Sequence, residues 1–475
     1  MKKNELSLGL AIIPLIFLVF LLSINVFIYG DNALNGSNQF ILLIGGAIAA
    51  IIGFYKKIPY KKMIKKIAEN LQSVTGAILI LLFVGALAGS WLISGIIPAM
   101  IFFGLKILHP TIFLPASVII CALISLATGS SWTTSATVGI ALVGIGNVLE
   151  IPSGMVAGAV ISGAYFGDKL SPLSDTTNLA PAMAGGELFK HIRYMTFTTI
   201  PSILITLFVF LVISFTITTS GNTETNELLL AIEEKFTINM WLFLVPISVI
   251  VLIVKRTPPL IALLFGTLMG ALFALLFQSQ ILLEIAGSDV LNASVAYQAI
   301  MNAITVSTKI ATSNILLNDL FISGGMEGML GTIWLIICAM VFGGIMDAVG
   351  ALSRISSSLL NWAENTFQLF ASTIASCLAV NLTASDQYLS IVIPGKMFKK
   401  AYEERKLAPE NLSRTLEDSG TVTSVLIPWN TCGAYQSGVL NVGVGEYFIF
   451  AIFNWISPFM TLLYAALNIK ILKKS

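Results

Sequence analysis

Long unbroken apolar runs constrain this chain more than any other feature. Residues 8–29, 40–54, 74–93, 195–217, 240–254, 258–277, 329–350 and 446–469 are almost free of charge. A helix needs about 20 apolar residues to cross a bilayer. Lipid offers no partner to an exposed backbone group, so such runs must be helical or belong to a closed barrel. Barrel strands would be runs of about ten residues with alternating polarity, and these runs do not alternate. The expected fold class is an all-α polytopic membrane protein. Composition agrees: 56% of the chain is apolar and 11% is charged, against about 25% charged in globular domains. The formal charge is only +2. A soluble enzyme, a disordered chain and a nucleic-acid binder, which would carry a basic face, are excluded.

Smaller signals set the organisation. Met1–Glu5 followed by residues 8–29 resembles a signal peptide, but the apolar part is too long and no small-residue cleavage site follows. It is read as a retained first span. Lys56, Lys57, Lys61, Lys62, Lys65 and Lys66 form the strongest basic cluster, whereas residues 220–239 carry Glu224, Glu227, Glu233 and Glu234. The positive-inside rule then places the amino terminus and the lysine loop in the cytoplasm and 220–239 outside. Hydropathy gives 11 to 13 crossings plus re-entrant pieces. The four cysteines form no CxxC pair, so neither a zinc site nor a disulfide scaffold is expected.

Polar landmarks recur in order when the chain is slid along itself by about 255 residues. Thr128-Gly129-Ser130 meets Thr383-Ala384-Ser385, Ser162-Gly163 meets Ser419-Gly420, Pro172 meets Pro428, and Asp175-Thr176 meets Asn430-Thr431. Two halves with interrupted apolar segments at matching places are a sign of a secondary transporter whose site lies at the bilayer midplane. The expected division is a first repeat with amino-terminal spans over 1–277 (core 71–217), a linker or amphipathic segment over 278–328, and a second repeat core over 329–475.

Four polar islands interrupt the halves. Thr128–Thr134 lies between two arms too short to cross alone, which suits a re-entrant hairpin with Gly129 at its turn. Gly167–Asn178 sets Asp168, Lys169 and Asp175 around Pro172, which breaks a helix. Charges at membrane depth are costly and usually mark ion paths. Asn381–Tyr388 is the partner of the first island, with Asp386 where the first has Ser131. Glu417–Ser424 and Pro428–Gly433 partner the second, with Asn430 in place of Asp175 and with Glu417 expected to be solvated. Oxygen-rich, thiolate-free clusters suit hard cations. A carboxylate in such a cluster can hold either Na⁺ or a proton, and that competition gives exchange with no covalent step. Helix ends pointing at the midplane suit a carboxylate cargo equally well. His109 and His191 belong to no H-E-x-x-H pattern, and no G-x-S-x-G is present, so an enzyme is not expected.

The run Gly167-Asp168-Lys169-Leu170-Ser171-Pro172-Leu173-Ser174-Asp175-Thr176-Thr177-Asn178-Leu179-Ala180-Pro181-Ala182 resembles the signature of the NhaC family of Na⁺/H⁺ antiporters. Thr128–Trp132, Thr383–Tyr388 with Pro394–Phe398, and Pro428–Gly433 are similar to that family too. The resemblance implies a bacterial cytoplasmic-membrane exchanger with two inverted repeats, re-entrant hairpins and interrupted transmembrane helices. It puts site roles on Ser130, Ser131, Asp168, Asp175, Thr176, Thr177, Asn178, Ser385, Asp386, Asn430 and Thr431. Asp175, Thr176, Asn178 and Asn430 are the expected Na⁺ ligands. Beyond transported Na⁺ and H⁺ no cofactor is expected. The expected partners are the lipid bilayer and a second copy in a homodimer, with no nucleic acid. The family also holds exchangers of organic acids, such as the malate–lactate antiporter. An organic-acid or amino-acid exchanger coupled to Na⁺ and H⁺ is therefore the alternative function. Asp386 departs from the family's pattern and bears on the cargo.

Overall fold

The computed structural model describes residues 6–29, 33, 36–107, 109–216 and 222–474. Met1–Glu5, read above as cytoplasmic, and the side chain of Glu224 lie outside the described residues. The described chain is all-α except for two-residue strands, Thr308–Lys309 and Ile322–Ser323, paired antiparallel. Eight helices are long and apolar enough to cross a bilayer, or nine if Asn226–Lys235 and Met240–Val254, which meet at 87°, form one bent span. The hydropathy count of 11 to 13 is higher because it includes apolar segments such as Ile96–Ile107 and Ile452–Ala466 that fall short of a full crossing.

The helices repeat at nearly constant spacing. Thr75–Ile93 and Leu330–Ala348, both of 19 residues, start 255 positions apart. Pro110–Thr128 and Thr366–Ala384, again both of 19, start 256 apart. Ser153 and Pro409 each begin a helix 256 apart. Asp175–Ala184 and Thr431–Leu440, both of ten residues, also start 256 apart. One extra residue between the first and second of these pairs accounts for the step from 255 to 256. The spacing corrects the alignment of the hairpin tips by one position: Asp386 matches Ser130, and Ser131 matches Gln387.

The second half of each broken helix packs on the other copy's hairpin. Asp175–Ala184 lies against Gln387–Glu404, and Thr431–Leu440 lies against Ser135–Gly139. This reciprocity is the contact pattern of two copies related by a pseudo-twofold axis.

Residues 278–328, read above as a linker with a surface helix, form Ser279–Ala286, Ala293–Thr305 and the small hairpin. Ala299 and Ala303 are fully buried against Thr75–Ile93. The approach is so close that a Cβ on Gly89 would sit 1.8 Å from the Ala303 carbonyl oxygen. Small residues at such contacts let helix backbones meet in lipid.

Candidate functional site

The first hairpin turns at Gly129, whose φ of +69° caps Pro110–Thr128 in the left-handed region. A Cβ there would lie 2.6 Å from Leu173 Cβ, so glycine is required by space as well as by conformation. Ser130 then caps the return arm, its hydroxyl accepting from Thr133 N at 3.1 Å. Beside this tip the helix Ser153–Leu170 stops ahead of Pro172, with Ser171 in the extended conformation that a following proline favours.

Asp168 links the two features. Its Oδ2 accepts from Ser131 N at 3.0 Å and from Ser131 Oγ at 2.7 Å. The carboxylate thus sits at the amino terminus of the return arm, where the backbone N–H groups are unsatisfied and the helix dipole favours negative charge. Thr177 Oγ1 donates to the freed carbonyls of Lys169 at 3.1 Å and Asp168 at 3.3 Å. Asn178 spends its amide on Pro172 O at 2.9 Å and Ser174 O at 2.7 Å. Thr176 and Ser174 share a hydroxyl contact at 3.2 Å. Asp175 and Asn178 are exposed while Thr176 and Thr177 are buried.

The second half repeats the plan with other groups. Ser385, also left-handed at φ +60°, stands for Gly129, and its buried hydroxyl has no hydrogen bond. Asp386 caps the return arm through Leu389 N at 2.9 Å. Gln387 Oε1 meets Ser424 Oγ at 3.4 Å, in the positions of Ser131 and Asp168. Asn381 donates to Gly420 O at 2.7 Å, as Ser125 donates to Ala164 O at 2.6 Å. Asn430 donates to Asn381 Oδ1 at 3.2 Å and accepts from Cys432 N at 3.1 Å. Thr431 N donates to Ser385 O at 2.9 Å, which ties the break to the tip.

Many contacts join the halves, and three of them involve side chains of the polar islands. Tyr388 stands within electrostatic reach of Asp175, Asp386 and Asp168. Trp132 stacks on Tyr435 with ring centroids 4.0 Å apart. Lys169 pairs with Asp418, both side chains fully buried, and Asp418 also accepts from Thr198 at 2.9 Å and from Thr461.

The expected residues therefore form two clusters, Ser130–Ser131–Asp168 with Asp175–Asn178, and Ser385–Asp386 with Asn430–Thr431. Among the described residues no hydrogen bond joins Asn430 to Asp175, Thr176 or Asn178. Glu417, expected to be solvated, is fully buried. Sequence reasoning gave no site role to Asn381, Gln387, Tyr388, Ser424, Glu417 or Asp418. The 256-residue spacing would have singled out Gln387 and Ser424 as the counterparts of Ser131 and Asp168. Among the described residues no three His, Cys, Asp or Glu side chains converge as a metal-binding group would require. Carboxylate, hydroxyl, amide and carbonyl oxygens are what the tips offer, which suits a hard monovalent cation as cargo.

The Na⁺/H⁺ antiporter family matches residues 163–469 of the chain. The Na⁺/H⁺ antiporter NhaC of Alkalihalophilus pseudofirmus is 37% identical over 429 residues, covering 90% of this chain and 89% of that one. The malate-2H⁺/Na⁺-lactate antiporter of Bacillus subtilis is 34% identical over 461 residues, 96% of this chain and 92% of its own. The arginine/ornithine antiporter ArcD of Halobacterium salinarum is 32% identical over 462 residues, 96% and 91% of the two chains.

Proposed function

The chain belongs to the Na⁺/H⁺ antiporter family, and on that premise we propose that it exchanges Na⁺ for H⁺ across a bacterial cytoplasmic membrane by alternating access. It is a multi-pass transporter and not an enzyme. One observation carries the mechanism: Asp168 is held at the tip of the first hairpin by two Ser131 donors, while Tyr388 of the second half lies within electrostatic reach of Asp168, Asp175 and Asp386. Ionised Asp168 binds Na⁺ with the hydroxyls of Ser131, Ser174 and Thr176. A proton arriving on Asp168 removes the charge that holds the ion, and Na⁺ leaves. Asp175, exposed at the break, receives the hydrated ion first. The cores 71–217 and 329–475 rock against each other about Asp168 and Tyr388, with the amino terminus and the lysine loop in the cytoplasm.

A second reading has one structural argument. Four helix starts, at Ser131, Asp175, Gln387 and Thr431, gather at the tips, and positive helix ends suit a carboxylate. On this reading a small organic or amino acid travels with the ions, as the names of two relatives suggest for those proteins.

One assay tests both. Purified protein in liposomes, acid inside and carrying a pH dye, receives external Na⁺ with or without malate, lactate or arginine. Na⁺ alone should raise the internal pH. A response that appears only with one of the acids would replace the first reading with the second, and no response to any combination would reject both.

A further inference from the structure

Two cations at the edge of the apolar surface take no part in the exchange mechanism. Residues 470–474 follow the helix Ile452–Ala466 as a strap pinned by its backbone. The Leu472 carbonyl accepts from Ala408 N at 3.0 Å and from Asn411 Nδ2 at 2.7 Å, and Lys474 N donates to Lys406 O at 2.8 Å. Tyr194, in the helix Leu188–Thr216, donates its hydroxyl to the Lys470 carbonyl. The Lys470 side chain is thereby set beside that helix, with its ammonium 4.8 Å from the centre of the Phe197 ring. Arg193 lies one helical turn before Phe197 on the same face and is exposed.

Both cations are open to an anion. Among the described residues neither has an ion-pair partner. Helix Leu188–Thr216 contains no acid. Glu187, just before it, is taken by Lys190 at 2.9 Å, and Glu410, on the neighbouring helix, is buried within electrostatic reach of Lys190. Arg414 stands behind Tyr194 with its guanidinium carbon 4.5 Å from the ring centroid, a third positive charge whose nitrogens have no hydrogen-bond partner. From the two cations an apolar stripe runs along the helix. Phe197, Ile200, Leu204 and Phe208 recur at helical spacing and are all exposed. They span about 16 Å at 1.5 Å per residue, the depth of one leaflet of a hydrocarbon core about 30 Å thick.

We propose that Arg193 and Lys470 bind the phosphate headgroup of an anionic phospholipid whose tail lies along Phe197–Phe208. The guanidinium fork and the ammonium point charge are the side-chain groups that hold phosphate best, and basic side chains beside the hydrocarbon region attract anionic lipid. A zwitterionic lipid is a poorer occupant, because its own cation offsets its phosphate. The strap ties this site to the transport machinery. A lipid that holds Lys470 also holds Leu472 against Asn411, in the helix Pro409–Leu416 that runs on to the second break. The proposal stands whichever cargo the protein exchanges.

The test follows the melting temperature of the purified full chain in a non-ionic detergent as phosphatidylglycerol, phosphatidylcholine or soluble glycerol phosphate is added. A ligand that binds only the folded protein raises its melting temperature. Phosphatidylglycerol should raise it by several degrees and the other two by much less. Arg193→Gln/Lys470→Gln should lose most of that rise, while Lys61→Gln/Lys62→Gln, which removes two exposed lysines elsewhere, should keep it. Arg193→Gln alone should lose at least half of the rise, so the assignment is still decided if the double variant fails to fold. An equal rise with phosphatidylcholine would show that the lipid's charge is not read. An equal rise with glycerol phosphate would show a site for a free anion and not for a lipid. Either result overturns the proposal, as does a variant at Arg193 and Lys470 that responds like the wild type, or a loss that follows Lys61 and Lys62 instead.

Discussion

The two halves share a backbone plan and divide the charges between them. At one pair of equivalent positions the first half has Asp168-Lys169 and the second has Ser424-Val425. At another the first has Ile161-Ser162 and the second has Glu417-Asp418. Both hairpins close with a left-handed residue and a side-chain cap. The hydrogen bond from tip to broken helix also recurs, as Ser131–Asp168 and as Gln387–Ser424. Only the first version contains a charge. The halves therefore share a scaffold of hairpins and breaks, and on the proposed mechanism one half holds the ion-facing carboxylate. The other half supplies the counter-charge to Lys169.

That asymmetry is broken most severely at Asp168. Asp168→Asn should lower exchange by about 100-fold or more, because two donors built for a charged acceptor lose it, a loss of about 1.5–3 kcal/mol for each such hydrogen bond. Ser424→Ala, the equivalent change in the second half, should cost less than about tenfold, since a neutral bond contributes about 1 kcal/mol. Asp175→Asn should fall between them. Rates of Na⁺-driven pH change in liposomes order the three, and equal losses at Asp168 and Ser424 would show that the halves share the site evenly.

The pair Lys169–Asp418 is the next test, because it joins the halves through charges that neither carries twice. Lys169→Met leaves Asp418 buried with only Thr198 and Thr461 as partners. Stranding one member of a buried pair costs about 3–5 kcal/mol, so the melting temperature in detergent should fall sharply. The double variant Lys169→Met/Asp418→Leu should recover much of that loss, since apolar residues of similar size often replace a buried ion pair without penalty. A double variant no more stable than the single one would mean that the pair is bound up with a larger polar network.

Much of this arrangement was readable in the sequence, for physical reasons that also mark where reading stopped. Apolar runs report helices directly, because lipid leaves the backbone no alternative. Polar islands report breaks where Gly129, Pro172 and Pro428 stand among polar side chains; proline alone does not, since Pro115 and Pro201 lie inside intact spans. The repeat was visible, but its register at the tips was off by one, since the match was centred on hydroxyls while the backbone aligns Gly129 with Ser385. Lys169 and Asp418 are 249 residues apart, and no local pattern pairs them. Glu417 reads as solvated if it ends a helix, but the helix runs on into a π-helical turn and the residue is fully buried. The polar side chains of 278–328 suggested a surface, yet the alanines between them decide the packing. Asn178 donates its amide N–H groups within its own turn, a local contact that residue type alone does not show.

The smallest effects lie at the two turn residues. Gly129→Ala puts a methyl group within 2.6 Å of Leu173 Cβ in a backbone conformation that disfavours it. It should destabilise the protein by about 1–3 kcal/mol, as overpacking does, and slow exchange by displacing Ser131. Ser385 occupies the same conformation with a side chain that hydrogen-bonds to nothing. Ser385→Gly relieves a left-handed strain of about 1–2 kcal/mol and removes a buried unpaired hydroxyl. Against this stands the extra chain entropy of glycine, about 0.5–1 kcal/mol. The balance is a melting temperature equal to or slightly above the wild type. If the Ser385 hydroxyl is also a Na⁺ ligand, the same variant should need a higher Na⁺ concentration for half-maximal exchange. Thermal stability and Na⁺ dependence measured on one preparation thus separate the two roles. A variant that is more stable and unchanged in Na⁺ response would leave the cation to the first half alone.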